Sequence, residues 1–323
     1  MKKLIYGIIT LIVSIVFVGC SKPNMKEIPL FCKDNLKDIN TKFLRKNVEI
    51  LTPIIAKEGE PFCVKGVIRQ TQEELKNPRL VLFFHGDGNN VKYFDELISE
   101  LKNKRSHQYE EANTIFVNFE HPQKYNQIAL RKSPLEALAY AVAQTIQQTN
   151  PSYIDFVGHS GGGDRALMVA ALSNKIWKKY GLKIPVDDIY RLNSACDRNI
   201  AIKGLGYGVY SRELYNPINH VYKIRAGVKV IAGRGTKDTH IWKSLYENSN
   251  NQCMEKLTLS GVDVKNIELK GAGHSTLGKS LEYRTMMTTL LDPKDDGYIT
   301  TPEYIKSLEK LPPNIVENYN FKR

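Results

Sequence analysis

Short apolar runs alternate with segments of helical periodicity through the middle of the chain. The run Leu80–Phe84 (LVLFF) is continuously apolar, which is typical of a strand buried on both faces. Apolar residues recur at helical spacing over Val91–Leu101, and Pro134 begins an Ala-rich helix that is predicted to end near Thr149. The predicted strands are Val48–Ile55 and Val64–Arg69, expected as an antiparallel pair, then Leu80–Phe84, Thr114–Phe119, Tyr153–Val157, Ile189–Asn193, Val228–Ala232 and Ile267–Leu269, with further helices at Ala166–Leu172 and Gly278–Leu291.

This alternation predicts an α/β fold. Strands separated by helices indicate βαβ units, and therefore a mostly parallel, doubly wound sheet with helices on both faces. We expect one domain over residues 47–291. A ligand of such a sheet binds at the carboxyl ends of the strands.

Composition and charge narrow the class of protein. The chain has 323 residues, of which 42% are hydrophobic and 25% charged, and these figures exclude a disordered, collagen-like or multi-spanning membrane protein. The formal net charge is +12, but Lys and Arg are scattered among acidic residues. Because no basic-aromatic array is present, we do not expect a nucleic-acid partner.

The N-terminus has the layout of a secretory signal. Two lysines precede an apolar run over Leu4–Val18, which is short for a bilayer span, and a glycine and Cys20 follow. The ending Phe17-Val18-Gly19-Cys20 resembles a bacterial lipobox, which implies cleavage before Cys20 and diacylation of that residue. We therefore predict a signal peptide over 1–19, a polar tether over 20–46, and an exported protein held by lipid at the cell membrane or outer membrane. An uncleaved N-terminal anchor is the alternative.

Export would bring the four further cysteines into an oxidising compartment, where they can form disulfides. Cys32, Cys63, Cys196 and Cys253 form no CxxC pair, so zinc and thioredoxin-like motifs have no support. An oxidising compartment allows two disulfides among three possible pairings. We expect Cys32–Cys63 and Cys196–Cys253, and the alternative is that all four are small buried hydrophobic residues.

The motif Gly158-His159-Ser160-Gly161-Gly162 follows a predicted strand and precedes a predicted helix. A G-x-S-x-G sequence in that setting indicates a sharp turn that exposes the serine hydroxyl at the top of a sheet. The turn also directs the Gly161 N–H and the helix N-terminus at a developing oxyanion. A glycine-rich turn with an idle serine is the alternative.

With this motif, residues 48–291 resemble the α/β-hydrolase superfamily. The resemblance implies a catalytic triad in the order Ser, acid, His, each on a loop after a strand. The histidines beyond Ser160 are His220, His240 and His274. Only His274 follows the last predicted strand, through a glycine-rich turn, and we expect it to be the base.

The acid is sought in the same family order. Asp238 and Asp197 both lie beyond the carboxyl ends of predicted strands. Asp238 lies where the family most often has its acid, and Asp197 is the runner-up. Asp197 can also be a loop acid that pairs with the adjacent Arg198.

The sequence HGDG at 85–88 resembles the HG-x-G loops of the same superfamily. In that family the loop supplies a second oxyanion donor, so we expect the backbone N–H of Asp87 to act beside that of Gly161. A glycine in this loop lets the backbone approach a substrate oxygen closely. We expect no proton transfer by His85.

Together these residues predict acyl-transfer chemistry. Ser160 would attack a carbonyl carbon, His274 would move its proton, and Asp238 would fix the imidazole tautomer. The resemblance implies an esterase or lipase that acts on a small-molecule or lipid ester without a cofactor. A peptidase, thioesterase or acyltransferase uses the same triad, and a non-catalytic envelope lipoprotein with the hydrolase fold as a binding module is the alternative class. The acyl group and the oligomeric state stay open.

The C-terminal extension, 292–323, begins with a segment that resembles an EF-hand loop over Asp292–Glu303. Its candidate calcium ligands are Asp292, Asp296, Tyr298 and Glu303. Lys294 occupies a ligand position, and the last four residues also fit an ordinary capping box. Any calcium bound there would be structural.

Overall fold

The computed structural model describes residues 44–56, 59–70, 75–87, 89, 92–95, 113–122, 130–199, 215–240 and 243–291. The predicted signal peptide, lipidation at Cys20, nearly all of the tether and the calcium candidates of the C-terminal extension lie outside these residues. Within the described part, no helix is both long and apolar enough to cross a membrane.

Eight strands form one mixed sheet in the order β1-β2-β4-β3-β5-β6-β7-β8. β1 pairs antiparallel with β2, as predicted, and β2 also pairs antiparallel with β4. The strands from β3 to β8 are parallel to one another. The strands are β1 Leu44–Ile55, β2 Pro61–Gln70, β3 Arg79–Phe84, β4 Thr114–Phe119, β5 Tyr153–His159, β6 Asp188–Leu192, β7 Lys229–Gly235 and β8 Asp263–Leu269.

Five helices are described, α1 Lys132–Thr149, α2 Gly161–Ala171, α3 Ser173–Tyr180, α4 Lys243–Leu259 and α5 Leu281–Leu291. Short 3₁₀ turns lie at Pro217–Asn219, Val221–Lys223 and Leu277–Lys279. The sequence predicted α1, α2 and α5 and missed α3 and α4. In the helix predicted over Val91–Leu101, residues 93–95 are helical and 96–101 lie outside the described part.

The hydrophobic core has two parts, one on each face of the sheet. Alternate residues of β3 show the division, since Leu80 and Leu82 belong to the cluster that includes residues of α1 to α4, whereas Val81 and Phe83 belong to the cluster that includes residues of α5. The core positions of β3 are at most 2% exposed, in keeping with a strand that is buried on both faces. Helices therefore cover both faces, as predicted.

Because β3 and β5 to β8 are parallel, their carboxyl ends meet at one edge of the sheet. β3 leads into the HGDG loop and β5 into Ser160. β7 is followed by Asp238, and β8 by His274. The topology therefore gathers the predicted chemical groups from four separate loops at this edge.

Cys196 and Cys253 form a disulfide, with their Cα atoms 6.3 Å apart, and this prediction is confirmed. Cys63 has a free, exposed thiol on β2, and its expected partner Cys32 lies outside the described residues. The alternative of four buried thiols is wrong, because two of these cysteines are bonded and a third is exposed.

Candidate active site

The turn between β5 and α2 holds Ser160 in a strained conformation. Its φ is 53° and its ψ is −127°, a region that residues with a side chain rarely adopt. The Ser160 N–H donates to the Leu192 carbonyl at 2.8 Å, and the Ser160 carbonyl accepts from the Gly163 N–H at 3.0 Å. These bonds fix the turn and leave the serine half-buried at the sheet edge.

Glycines make this turn possible. A Cβ on Gly158 would overlap the backbone of Gly162, and a Cβ on Gly162 would overlap the carbonyl oxygen of Phe84. A Cβ on Gly86 would lie 3.1 Å from the Ser160 Cβ, so the HGDG loop passes directly beside the serine. The close approach of these backbones requires residues without side chains.

The structure brings Ser160, His274 and Asp238 into one hydrogen-bonded chain. His274 Nε2 lies 3.0 Å from Ser160 Oγ, and His274 Nδ1 lies 2.9 Å from Asp238 Oδ2. The Asp238 carboxylate, 1% exposed, accepts a second bond from the His240 N–H at 2.8 Å. Because a carboxylate only accepts, Nδ1 carries the proton of neutral His274, and Nε2 is free to accept from the serine hydroxyl.

Asn193 holds the histidine loop, a role that sequence analysis missed. Its side-chain amide donates to the Gly273 carbonyl at 3.2 Å and to the His274 carbonyl at 3.1 Å, while its Oδ1 accepts from the Gly235 N–H at 2.7 Å. Asn193 therefore ties the end of β7 to the loop after β8. Its φ is 48°, and an asparagine as the last residue of a predicted strand, where left-handed backbone is tolerated, is the available signal.

His159, the variable residue of the G-x-S-x-G motif, supports the same loop. Its Nε2 lies 2.6 Å from the His274 carbonyl oxygen, and its ring stacks on Tyr93 at 4.9 Å. Burial, assisted by the neighbouring His274, lowers the pKa of His159 to about 3. The ring is therefore neutral, and Nε2–H donates to the carbonyl.

The other two histidines beyond Ser160 differ from His274. His240 places its ring 4.4 Å from the His274 ring, and burial lowers its pKa. His220 lies between two 3₁₀ turns and stacks on Tyr215. Of the three, His274 is the one bonded to Ser160.

The Asp87 side chain lies over the first residue of α2. A Cβ on Gly161 would overlap the Asp87 carboxylate. The Gly161 N–H is one of the first four of its helix, which have no acceptor within the helix. The structure thus brings both predicted donor residues beside Ser160.

Arg165 joins the HGDG loop to α2. Its Nη2 forms an ion pair with Asp87, and its Nη1 donates to the His85 carbonyl at 2.6 Å. Burial lowers the pKa of His85 to about 4, so this ring is neutral. His85 Nδ1 lies 2.8 Å from the Gly86 carbonyl oxygen, to which it donates.

Arg198 joins the same loop to the segment after β6. Its guanidinium pairs with Asp87 through Nη2 and with Asp164 of α2 through Nη1, the latter at 3.1 Å. Asp164 also accepts from the Cys196 N–H at 3.1 Å and from the Ser194 hydroxyl. Burial alone would raise the pKa of Asp87, but the two guanidinium groups hold it below its usual value.

Asp197, the alternative acid, has other partners. Its Oδ1 accepts from the Asn216 side-chain amide at 2.7 Å. The alternative interpretation paired Asp197 with the adjacent Arg198, but the ion pairs described for Arg198 are with Asp87 and Asp164. The structure places Asp238, and not Asp197, against His274.

No group of three or more His, Cys, Asp and Glu side chains in the described ranges is arranged to hold a metal ion. The predicted calcium candidates Asp292, Asp296, Tyr298 and Glu303 lie beyond the last described residue, so calcium binding there stays a prediction.

Comparison with known proteins shows the fold. No protein-family model and no curated protein matches the sequence. Among solved structures, carboxyl esterase 2 from Tuber melanosporum is 16% identical with a TM-score of 0.52, covering 80% of this chain and 86% of that one. An esterase from Pyrobaculum calidifontis is 15% identical with a TM-score of 0.52 (76% and 84% covered), and a thermostable esterase from Pseudomonas putida is 14% identical with a TM-score of 0.51 (81% and 85% covered). The chain has the α/β-hydrolase fold of these esterases, with a mixed sheet.

Proposed function

We propose that this chain is a serine ester hydrolase in which Ser160 is the nucleophile, His274 the general base and Asp238 the acid that orients it. The observation that carries the proposal is the continuous hydrogen-bonded chain from Ser160 Oγ through His274 to Asp238. The structurally similar esterases support an ester as the substrate.

The reaction proceeds in two halves. His274 Nε2 accepts the hydroxyl proton as Ser160 Oγ bonds to the ester carbonyl carbon, and the N–H groups of Gly161 and Asp87 stabilise the oxyanion. His274 then gives the proton to the departing alcohol, which leaves an acyl-enzyme. Water attacks the acyl carbon with His274 again as base, and this step releases the carboxylic acid and restores Ser160.

The surroundings of His274 suit this proton transfer. The Asp238 carboxylate stabilises the imidazolium that forms. Asn193 and His159 hold the backbone carbonyl of His274, and so fix the position of its ring. Because His159 is neutral, it adds no positive charge beside that imidazolium.

The enzyme acts in the cell envelope, anchored by lipid on Cys20, on a small-molecule or lipid ester, and it requires no cofactor. The signal-like N-terminus supports this location. The Cys196–Cys253 disulfide supports it as well, since such bonds persist in oxidising compartments.

Labelling with a fluorophosphonate probe tests the nucleophile. The folded mature protein should be labelled, Ser160→Ala should lose labelling, and His274→Ala should be labelled at least about a hundredfold more slowly. Ser152→Ala is the matched control, since this exposed serine lies at the opposite end of β5. If folded wild-type protein is not labelled, the hydrolase proposal is wrong and the binding-module alternative replaces it. If the enzyme is labelled, its rates of hydrolysis are compared for p-nitrophenyl esters of increasing acyl chain length and for a p-nitroanilide. These rates distinguish esterase, lipase and peptidase activity.

A further inference from the structure

A concave pocket of about 550 Å³ lies away from the candidate active site. Met168, Ala171 and Leu172, at the C-terminal end of α2, contribute its apolar part. Ser160 precedes the other end of this helix, roughly 16 Å away at about 1.5 Å per residue. The pocket has the volume of a small-molecule site, in the usual range of roughly 300–1,000 Å³.

Four lysines line this pocket. Lys175, Lys178 and Lys179 are spaced at i, i+3 and i+4 on α3 and share one face of the helix, while Lys223 comes from a 3₁₀ turn. Among the described lining residues there is no Asp or Glu. Glu136 forms an ion pair with Lys175 but is not part of the lining.

An aromatic pair completes the lining. The Tyr215 and His220 rings stack at 4.7 Å with 15° between their planes. Lys223 Nζ lies 3.4 Å from His220 Nδ1, and burial together with Lys223 lowers the pKa of His220. The histidine is therefore a neutral acceptor that orients the ammonium group of Lys223.

These features favour a ligand with two chemical parts. Like charges around one concavity repel each other, and an anion between them removes that repulsion. The half-buried Tyr215 ring is the more accessible apolar surface of the lining, and Met168, Ala171 and Leu172, at most 6% exposed, add small apolar patches to it; these groups suit a hydrocarbon chain. We propose that this pocket binds an amphiphilic organic anion, with its phosphate or carboxylate held by Lys178 and Lys223 and its apolar part on the Tyr215 ring and the apolar patches beside it.

Calorimetric titration of the full mature protein with octyl phosphate tests the site. Lys178→Gln/Lys223→Gln, which removes one cation from each wall, should weaken binding at least about tenfold. Lys76→Gln/Lys132→Gln is the control, because it removes two exposed lysines elsewhere and should change affinity less than twofold. Fluorophosphonate labelling should be unchanged in both variants, since the pocket is separate from Ser160.

The proposal is overturned if octyl phosphate shows no saturable binding, if the two double variants lose affinity equally, or if the uncharged amphiphile octyl glucoside binds with equal affinity. Inorganic phosphate should bind at least about tenfold more weakly than octyl phosphate. Equal binding of inorganic phosphate would refute the role of the apolar residues.

Vesicles distinguish the two sources of such an anion. Trp177 and Tyr222, 44% and 59% exposed, lie on the two elements that carry the lysines, and exposed aromatic residues beside lysines suit a lipid headgroup layer. Sedimentation with phosphatidylglycerol vesicles, lost in Lys178→Gln/Lys223→Gln and absent with pure phosphatidylcholine, would identify a membrane lipid as the ligand. Binding of octyl phosphate without vesicle binding would identify a soluble anion.

Discussion

Replacement of Arg198 by methionine tests how the oxyanion loop is held in place. Arg198 pairs with two carboxylates, Asp87 of the HGDG loop and Asp164 of α2, and it is 4% exposed. Arg198→Met keeps an unbranched apolar stem and removes the guanidinium group with its charge. Of the two arginines that pair with Asp87 in the described part of the chain, Arg165 then remains, and the loop loses this tie to the segment after β6.

The expected magnitudes follow from these contacts. Removing one partner of a buried ion pair costs about 3–5 kcal/mol. Since Asp87 retains Arg165 and Asp164 retains the Cys196 N–H, we expect the free energy of unfolding to fall by about 3 kcal/mol. Displacement of one oxyanion donor lowers the rate about 100-fold. Arg198→Lys, which can reach one carboxylate at a time, should have an intermediate effect on both quantities.

The assay is the second-order rate of fluorophosphonate labelling, because the phosphonyl oxygen takes the place of the oxyanion, together with urea unfolding. Arg225→Met is the control, since this exposed arginine donates to the Val186 carbonyl on another part of the surface. Asp87→Asn in the Arg198→Met background should recover part of the lost stability, because it removes the net negative charge that the buried cluster of Asp87, Asp164 and Arg165 is left with. An Arg198→Met protein that is destabilised but labelled within threefold of the wild-type rate would refute a positioning role.

Three further predictions concern stability. Reduction of the Cys196–Cys253 bond, which closes a loop with a sequence separation of 57, should lower the free energy of unfolding by about 4 kcal/mol. Urea titrations with and without reductant are compared to measure this loss, and a Cys253→Ala protein should not respond to reductant. Gly162→Ala should lower the free energy of unfolding by more than about 4 kcal/mol, because the added methyl group would overlap a backbone carbonyl oxygen. Gly181→Ala, whose Cβ meets no atom, should lower it by about 1 kcal/mol, and thermal unfolding measures both changes. Burial raises the pKa of the Asp155 carboxyl from 3.8 to about 7, so the folded state holds a proton that the unfolded chain releases. The free energy of unfolding should therefore fall as the pH rises from 4 to 7, and it should fall less steeply in Asp155→Asn. An identical slope in the variant would show that another group is responsible.

The sequence predicts most strands because their residues are buried on both faces and form continuous apolar runs, as in β3. β8 was predicted only over Ile267–Leu269 but begins at Asp263. It lies at the edge of the sheet, and its first residues are exposed or half-buried, so they need not be apolar. α4 was missed for a related reason, since its N-terminal half contains three asparagines and two serines, which are weak helix formers.

Some residues of the candidate site can be predicted from local sequence patterns, whereas others depend on contacts between distant segments. Ser160, Asp238 and His274 each follow a strand, so their positions can be inferred from short segments and the order along the chain. Asn193 and Arg198 act on partners far away in sequence, and Arg198 and Asp87 are 111 positions apart. Such a pairing depends on which loops the sheet brings together, and no local pattern in one sequence encodes it.

The buried ion pairs explain how an acidic residue can occupy the oxyanion loop. In the proposed mechanism, negative charge develops beside Gly161, against which the Asp87 carboxylate lies. Two unit charges about 4 Å apart interact by about 4 kcal/mol at an effective dielectric constant near 20, and this repulsion would oppose catalysis. Arg165 and Arg198 bring two positive charges to balance Asp87 and Asp164, so the cluster has no net charge. The same arginines fix the loop to α2, and the acid therefore helps to position the backbone donor without adding a field against the oxyanion.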